Sequence, residues 1–73
     1  MKVRIEGCTA EQLNEYSSYL SLEKVYEAKK KLNGNYTLDD DTGEELSVRI
    51  NPETAVYFGC AHLPQGAKWV EVL

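Results

Sequence analysis

The residues best suited to metal binding or nucleophilic chemistry are two cysteines and the one histidine: Cys8, Cys60 and His62. A structural zinc site takes four ligands, usually in pairs such as C-x-x-C, and this set offers three candidates without that spacing. A catalytic cysteine needs an oriented base and an oxyanion site as well as its thiol. We therefore expect no metal, no cofactor and no catalysis, with Cys60 as a small core residue and His62 in a loop. A small metal-binding or Cys-dependent protein is the alternative.

The densest run of charge is DDDTGEE, from Asp39 to Glu45. A calcium loop needs glycine at its sixth position and a bidentate glutamate at its twelfth. Counted from Asp39, Gly43 comes one position early, so the run is out of register for calcium. We interpret it either as a solvated hairpin tip or as an acidic surface that a basic patch on a partner protein recognises.

Tyr57 is a second candidate for partner binding. It lies on the opposite side of a predicted strand from Val56 and Phe58, and is exposed if those two residues face the core. Tyrosine is enriched among the residues that anchor protein interfaces. The predicted partner-binding residues are Asp39, Asp40, Asp41, Glu44, Glu45 and Tyr57.

The charge balance argues against direct binding of nucleic acid. Twelve acidic residues outnumber eight basic ones, and the formal net charge is −4. Nucleic-acid binding depends on clustered Lys and Arg that neutralise phosphates. The basic cluster Lys29, Lys30 and Lys31 is better suited to the carboxyl end of a helix.

The chain length limits the kinds of site that the protein can build. Its 73 residues suit a single domain, 1–73, with little room for a deep pocket. Residues 1–20 show no secretory signal, and no apolar run approaches the roughly 20 residues that span a bilayer. We expect a cytoplasmic protein that contacts no membrane and keeps its thiols reduced, with a Cys8–Cys60 disulfide as the alternative. The composition does not predict an oligomeric state.

The N-terminal part predicts a strand and then a helical region. Val3 and Ile5 alternate with polar neighbours over residues 1–6, as in a half-buried strand. Thr9 and Gln12 have the spacing of a capping box, which predicts that a helix begins there. The helical composition continues to Leu32.

The apolar stripe of this helical region changes direction near Ser21. One side of a helical wheel carries Leu13, Tyr16 and Leu20, whereas another side carries Leu22, Val25, Tyr26 and Leu32. This shift predicts one kinked helix or two short helices, with Ser21 capping the second, which would begin at Leu22.

The C-terminal part predicts strands joined by short turns. Residues 36–39 and 45–51 alternate in hydrophobicity around the acidic run and form a predicted hairpin, with Gly43 at positive φ in its turn. Further strands are predicted over residues 54–60 and 68–73. The expected fold is therefore α+β: an N-terminal strand, a helical region, and a mainly antiparallel sheet of about four strands.

In its size, acidity and order of elements, the chain resembles small phage-encoded regulators that bind host RNA polymerase. The resemblance implies a non-enzymatic protein that inhibits initiation or alters termination through contact with a host protein complex in the bacterial cytosol. It carries no residue-level motif, so it assigns no functional position. An acidic DNA mimic that inhibits a DNA-binding host defence protein is the alternative. Such a mimic needs carboxylates spread along one face, whereas Arg4 and Arg49 are interspersed here.

Overall fold

The computed structural model describes residues 1–32, 35–48 and 62–73. Within these ranges the chain forms a strand, a short helix and then five strands. The elements are β1 (Lys2–Glu6), α1 (Ala10–Tyr16), β2 (Tyr26–Glu27), β3 (Lys29–Lys30), β4 (Tyr36–Asp39), β5 (Glu45–Val48) and β6 (Lys68–Glu71). The predicted α+β class is confirmed. The strand predicted over residues 54–60 lies outside the described residues.

The described strands form two antiparallel sheets of three strands each. Sheet A has the order β2-β1-β6, and Val3 of β1 lies opposite Tyr26 on one side and Glu71 on the other. Sheet B has the order β3-β4-β5, and Thr37 of β4 lies opposite Lys29 and Ser47. The chain passes from sheet A to sheet B at Ala28, between β2 and β3.

The start of α1 is fixed by the predicted capping box. The Thr9 hydroxyl accepts a hydrogen bond from the Gln12 amide at 3.1 Å, and the Gln12 side chain accepts one from the Thr9 amide at 2.9 Å. Both amides belong to the first turn, where a helix supplies no partner of its own. The helix ends at Tyr16, and the Ser17 amide donates to the Leu13 carbonyl.

The prediction that the helical region extends to Leu32 is wrong. Residues 22–32 carry turns and then β2 and β3, so Ser21 caps no second helix. Tyr26 and Ala28 are each 3% exposed, whereas Val25 between turn and strand is 47% exposed. This period-two burial is that of a strand, and it arises because β2 pairs with β1 and β3 with β4.

One core lies between the sheets and the helix. Trp69, Leu13, Leu38 and Val3 are its largest fully buried apolar side chains. The Trp69 ring packs edge-to-face against Tyr26, with ring centroids 5.6 Å apart. Among the described residues, the buried apolar set is Val3, Ile5, Leu13, Leu20, Tyr26, Ala28, Leu38, Val48, Leu63, Ala67 and Trp69. The predicted inward positions Val3, Ile5, Leu13 and Leu20 are confirmed. Tyr16, predicted on the same apolar side as Leu13, is 55% exposed, so that prediction is wrong.

Candidate functional site

The acidic run forms the tip of the hairpin between β4 and β5, and we call residues 39–45 the acidic tip. Asp39 lies directly opposite Glu45 at the last pair of the ladder. The Asp40 amide then donates to the Glu44 carbonyl at 2.9 Å, and the Gly43 amide donates to the Asp40 carbonyl at 3.1 Å. Gly43 has φ +90°, a conformation that glycine adopts readily, and the predicted turn is confirmed.

The Asp40 side chain is turned inward and organises the tip. It is buried, and its Oδ1 accepts hydrogen bonds from the Thr42 hydroxyl at 2.6 Å, the Thr42 amide at 2.8 Å and the Glu44 amide at 3.0 Å. The bond from the Thr42 hydroxyl, with those from neighbouring amides, lowers the pKa of the Asp40 carboxyl. The Asp40 carboxylate therefore holds the turn closed.

The Asp41 side chain fastens the tip to the segment before β2. Its carboxylate accepts from the Ser21 hydroxyl at 2.7 Å and from the Tyr26 hydroxyl at 2.9 Å, and it forms an ion pair with Lys24 at 2.9 Å. The Asp41 amide also donates to the Tyr19 carbonyl at 2.9 Å. The hydrogen bond from Ser21, followed by that from Lys24, lowers the pKa of the Asp41 carboxyl. Four contacts thus fix the position of this side of the tip.

The other three carboxylates of the tip face solvent. Asp39, Glu44 and Glu45 are exposed residues. The Glu45 carboxylate forms an ion pair with Lys31 at 3.4 Å. Asp39 and Glu44 form no side-chain hydrogen bond or ion pair with the described residues. The structure therefore brings the five predicted acidic residues together on one hairpin. Asp40 is buried and Asp41 is exposed, and both accept hydrogen bonds from the protein, whereas Asp39, Glu44 and Glu45 point outward and accept none from the described residues. Tyr57 lies outside the described residues.

A small cavity adjoins the outward carboxylates on sheet B. It has a volume of about 120 Å³ and is lined by Glu27, Lys29, Thr37, Leu38, Asp39 and Glu45. The Thr37 hydroxyl oxygen is buried and has no hydrogen-bond partner among the described residues. Sequence reasoning missed Thr37, although its spacing of two from Asp39 on a predicted strand places both on one face. It also missed Glu27, because that residue was assigned to a helix.

Of the cysteine and histidine candidates, Cys8 and His62 lie within the described residues. Cys8 is a half-buried free thiol beside the core, and burial raises its pKa. The His62 Nδ1 lies 2.9 Å from the Tyr19 hydroxyl, and the His62 carbonyl accepts a hydrogen bond from the buried Ser17 hydroxyl. Cys60 lies outside the described residues. Within the ranges given above, no three His, Cys, Asp or Glu side chains meet in an arrangement that would hold a metal ion.

Comparisons with known proteins assign no family. The chain matches no protein-family model, no curated protein and no solved structure. In the part of the chain that the structure describes, no helix has the length and apolar character needed to cross a membrane.

Proposed function

We propose that this chain is a non-enzymatic regulator that binds a host protein complex through the acidic tip, and that bacterial RNA polymerase is the first complex to test. The observation that carries the proposal is the division of the tip. Asp40 and Asp41 fix its conformation through hydrogen bonds to the protein, and Asp39, Glu44 and Glu45 present carboxylates outward. The choice of polymerase is supported by the resemblance in size, acidity and order of elements.

A fixed cluster of carboxylates favours binding in two ways. Clustered charge of one sign steers the encounter with a surface of opposite sign and raises the association rate at low ionic strength. A conformation that is already ordered loses little entropy on binding. A partner with a basic surface therefore matches this tip better than an acidic or an apolar partner does.

The DNA-mimic alternative has less support from the charges. Such a mimic needs carboxylates that are free to stand in for phosphates along one face. Glu6, Glu27, Asp41 and Glu45 are each paired with a cation at distances between 2.9 and 3.4 Å. Four of the twelve carboxylates are thus held in ion pairs and are not free to stand in for phosphates.

The experiment is affinity capture from a bacterial lysate with three forms of the protein: wild type, the double variant Asp39→Asn/Glu44→Gln, and the control Glu71→Gln. Glu71 is an exposed carboxylate of β6 in sheet A, so the control removes one charge away from the tip. We expect near-stoichiometric recovery of a protein complex by wild type and control, weakened by salt and lost in the double variant. Recovery of polymerase subunits identifies that complex.

Two results would contradict the proposal. Equal capture by the double variant and the control would show that the partner does not bind through the acidic tip. Displacement of the captured protein by DNA, with polymerase absent, would favour the DNA-mimic alternative.

A further inference from the structure

The cavity beside the acidic tip has an excess of negative charge. Three carboxylates (Glu27, Asp39 and Glu45) and one ammonium (Lys29) line it, a formal charge of −2. The Glu27 carboxylate pairs with the amino group of Met1 at 2.9 Å, and Glu45 pairs with Lys31 at 3.4 Å. Asp39 has no such partner among the described residues, so one carboxylate of the lining is uncompensated.

Asp39 and Glu45 face each other directly across β4 and β5. The Cβ atoms of residues opposed in this way lie about 4.5–5.5 Å apart, and like charges at such positions are destabilising. A cation between the two carboxylates would turn this repulsion into an attraction to both.

Thr37 supplies an independent indication of a ligand. It lies two residues before Asp39 on the central strand of sheet B and is 7% exposed. Its hydroxyl is shielded from solvent and has no hydrogen-bond partner in the part of the chain that the structure describes. Buried hydroxyl groups are almost always paired, because an unpaired one loses its bonds to water without compensation. The hydroxyl of a cavity-lining residue that lacks a partner in the free protein is available to a bound group.

We propose that this cavity receives the guanidinium group of an arginine side chain from the protein partner; the inference rests on the proposed function and specifies its recognition chemistry. A guanidinium presents five N–H donors in a planar fork, and two of these donors can bind the two oxygens of a carboxylate at once. Asp39 and Glu45 supply the carboxylate acceptors, and the Thr37 hydroxyl oxygen supplies a neutral acceptor deeper in the lining. Lysine has one compact ammonium group and is the poorer match for acceptors on two strands.

The first test is a titration of isotope-labelled protein, followed by amide chemical shifts, with the peptide acetyl-Gly-Arg-Gly-amide. The control ligand is the same peptide with citrulline, which keeps the shape of arginine and lacks its charge. We expect the arginine peptide to shift amides of residues 27–29, 37–39 and 45–47, and the citrulline peptide to shift none of them. Shifts of equal size with both peptides, or shifts elsewhere only, would overturn the proposal.

The second test separates the Thr37 hydroxyl from charge alone. Thr37→Val removes the hydroxyl and nearly keeps the shape, whereas Thr37→Ser keeps the hydroxyl. We expect Thr37→Val to weaken binding of the arginine peptide about tenfold, because a hydrogen bond to a charged group is lost. We expect Thr37→Ser to bind like wild type. Since the hydroxyl is unpaired in the free protein, Thr37→Val should melt no lower than wild type, so a loss of binding does not reflect unfolding.

The outcomes distinguish this inference from the proposed function. If Asp39→Asn/Glu44→Gln loses the partner while Thr37→Val captures it as well as wild type, the tip binds without using the cavity, and this inference fails alone. Wild-type affinity of Thr37→Val for the arginine peptide would show that the hydroxyl takes no part in binding, and would also overturn the inference. If the peptide binds as expected but capture is independent of the tip, the proposed function fails and the arginine site stands.

Discussion

The Tyr26 hydroxyl donates a hydrogen bond of 2.9 Å to the Asp41 carboxylate and so joins sheet A to the acidic tip. The same hydroxyl accepts from the Ser21 amide at 2.7 Å, and the Tyr26 ring packs against Trp69. The tip is therefore connected to the core by a polar contact at one end of a buried ring.

Replacing Asp41 by alanine should lower the stability of the protein. The substitution removes the acceptor for Ser21, Lys24 and Tyr26. We expect the free energy of unfolding to fall by about 1–2 kcal/mol, at the lower end for charged hydrogen bonds because the site is partly exposed to solvent. Urea denaturation measures the change. Asp39→Ala is the matched control and should change it by less than about 0.5 kcal/mol; equal losses in both variants would mean that Asp41 does not fasten the tip.

The two hydrogen-bonded carboxylates of the acidic tip, Asp40 and Asp41, should make the protein sensitive to acid. The pKa values of Asp40 and Asp41 are lower in the folded protein than their ordinary value of 3.8. A depressed folded pKa contributes stability that is complete above the unfolded pKa and is lost as the pH falls through the folded pKa. We expect the free energy of unfolding to be level near neutral pH and to decrease as the pH falls through 3.8 and below.

The acid dependence is measured by urea denaturation at a series of pH values. The Asp41→Ala variant should show a shallower decrease, because it lacks one of the carboxylates whose pKa is lowered by folding. An identical pH profile in wild type and variant would assign the acid sensitivity to other carboxylates.

Ionisation of Tyr26 should limit stability at alkaline pH. Burial, together with the nearby Asp41 carboxylate, raises the pKa of Tyr26 to about 12, from an ordinary value of 10.0. A raised folded pKa contributes stability that is present below the unfolded pKa and is lost as the pH rises through the folded one. The free energy of unfolding should therefore fall between pH 10 and about 12. Tyr26→Phe should weaken this dependence, and an unchanged alkaline slope in that variant would count against the prediction.

Alanine substitutions at Gly7 and Gly43 should differ strongly in cost. Both glycines have positive φ, +93° at Gly7 and +90° at Gly43, which costs an alanine about 1–2 kcal/mol. A Cβ at Gly43 meets nothing within 4 Å, whereas a Cβ at Gly7 overlaps the Gly66 carbonyl oxygen. We expect Gly43→Ala to lose only the cost of its conformation and Gly7→Ala to lose about 3 kcal/mol or more. Thermal melting of the two variants compares their losses of stability. Similar melting temperatures would refute the close approach of Gly7 to the Gly66 carbonyl oxygen.

Local patterns in the sequence correctly predicted the secondary-structure elements that form through interactions between residues close together in the chain. The capping box at Thr9 and the alternation around Val3 and Ile5 depend on neighbours a few residues away, and both are confirmed. The segment from Leu22 to Leu32 was mispredicted because its Lys, Glu and Ala residues favour helix on their own. Its strands form through pairing with β1 and β4, which are distant in sequence, and tertiary pairing outweighed local propensity.

The candidate site was predicted in position but not in its internal organisation. A run of five acidic residues around a turn indicates a charged hairpin tip. Which carboxylates accept hydrogen bonds depends on donors that the fold brings close, such as Tyr26 for Asp41 and the tight turn at Thr42 for Asp40. The unpaired hydroxyl of Thr37 is likewise a property of packing, which residue types alone do not predict.

The position of β1 between β2 and β6 has a consequence for the rate of folding. Val3 pairs with Glu71, so the middle strand of sheet A finds its second neighbour at the far end of the described chain. Pairing over such a separation closes a long loop, which slows folding relative to proteins dominated by local contacts. During synthesis on a ribosome, β1 emerges early and must keep one edge open until β6 follows. While this edge is unpaired, the nascent chain is vulnerable to aggregation.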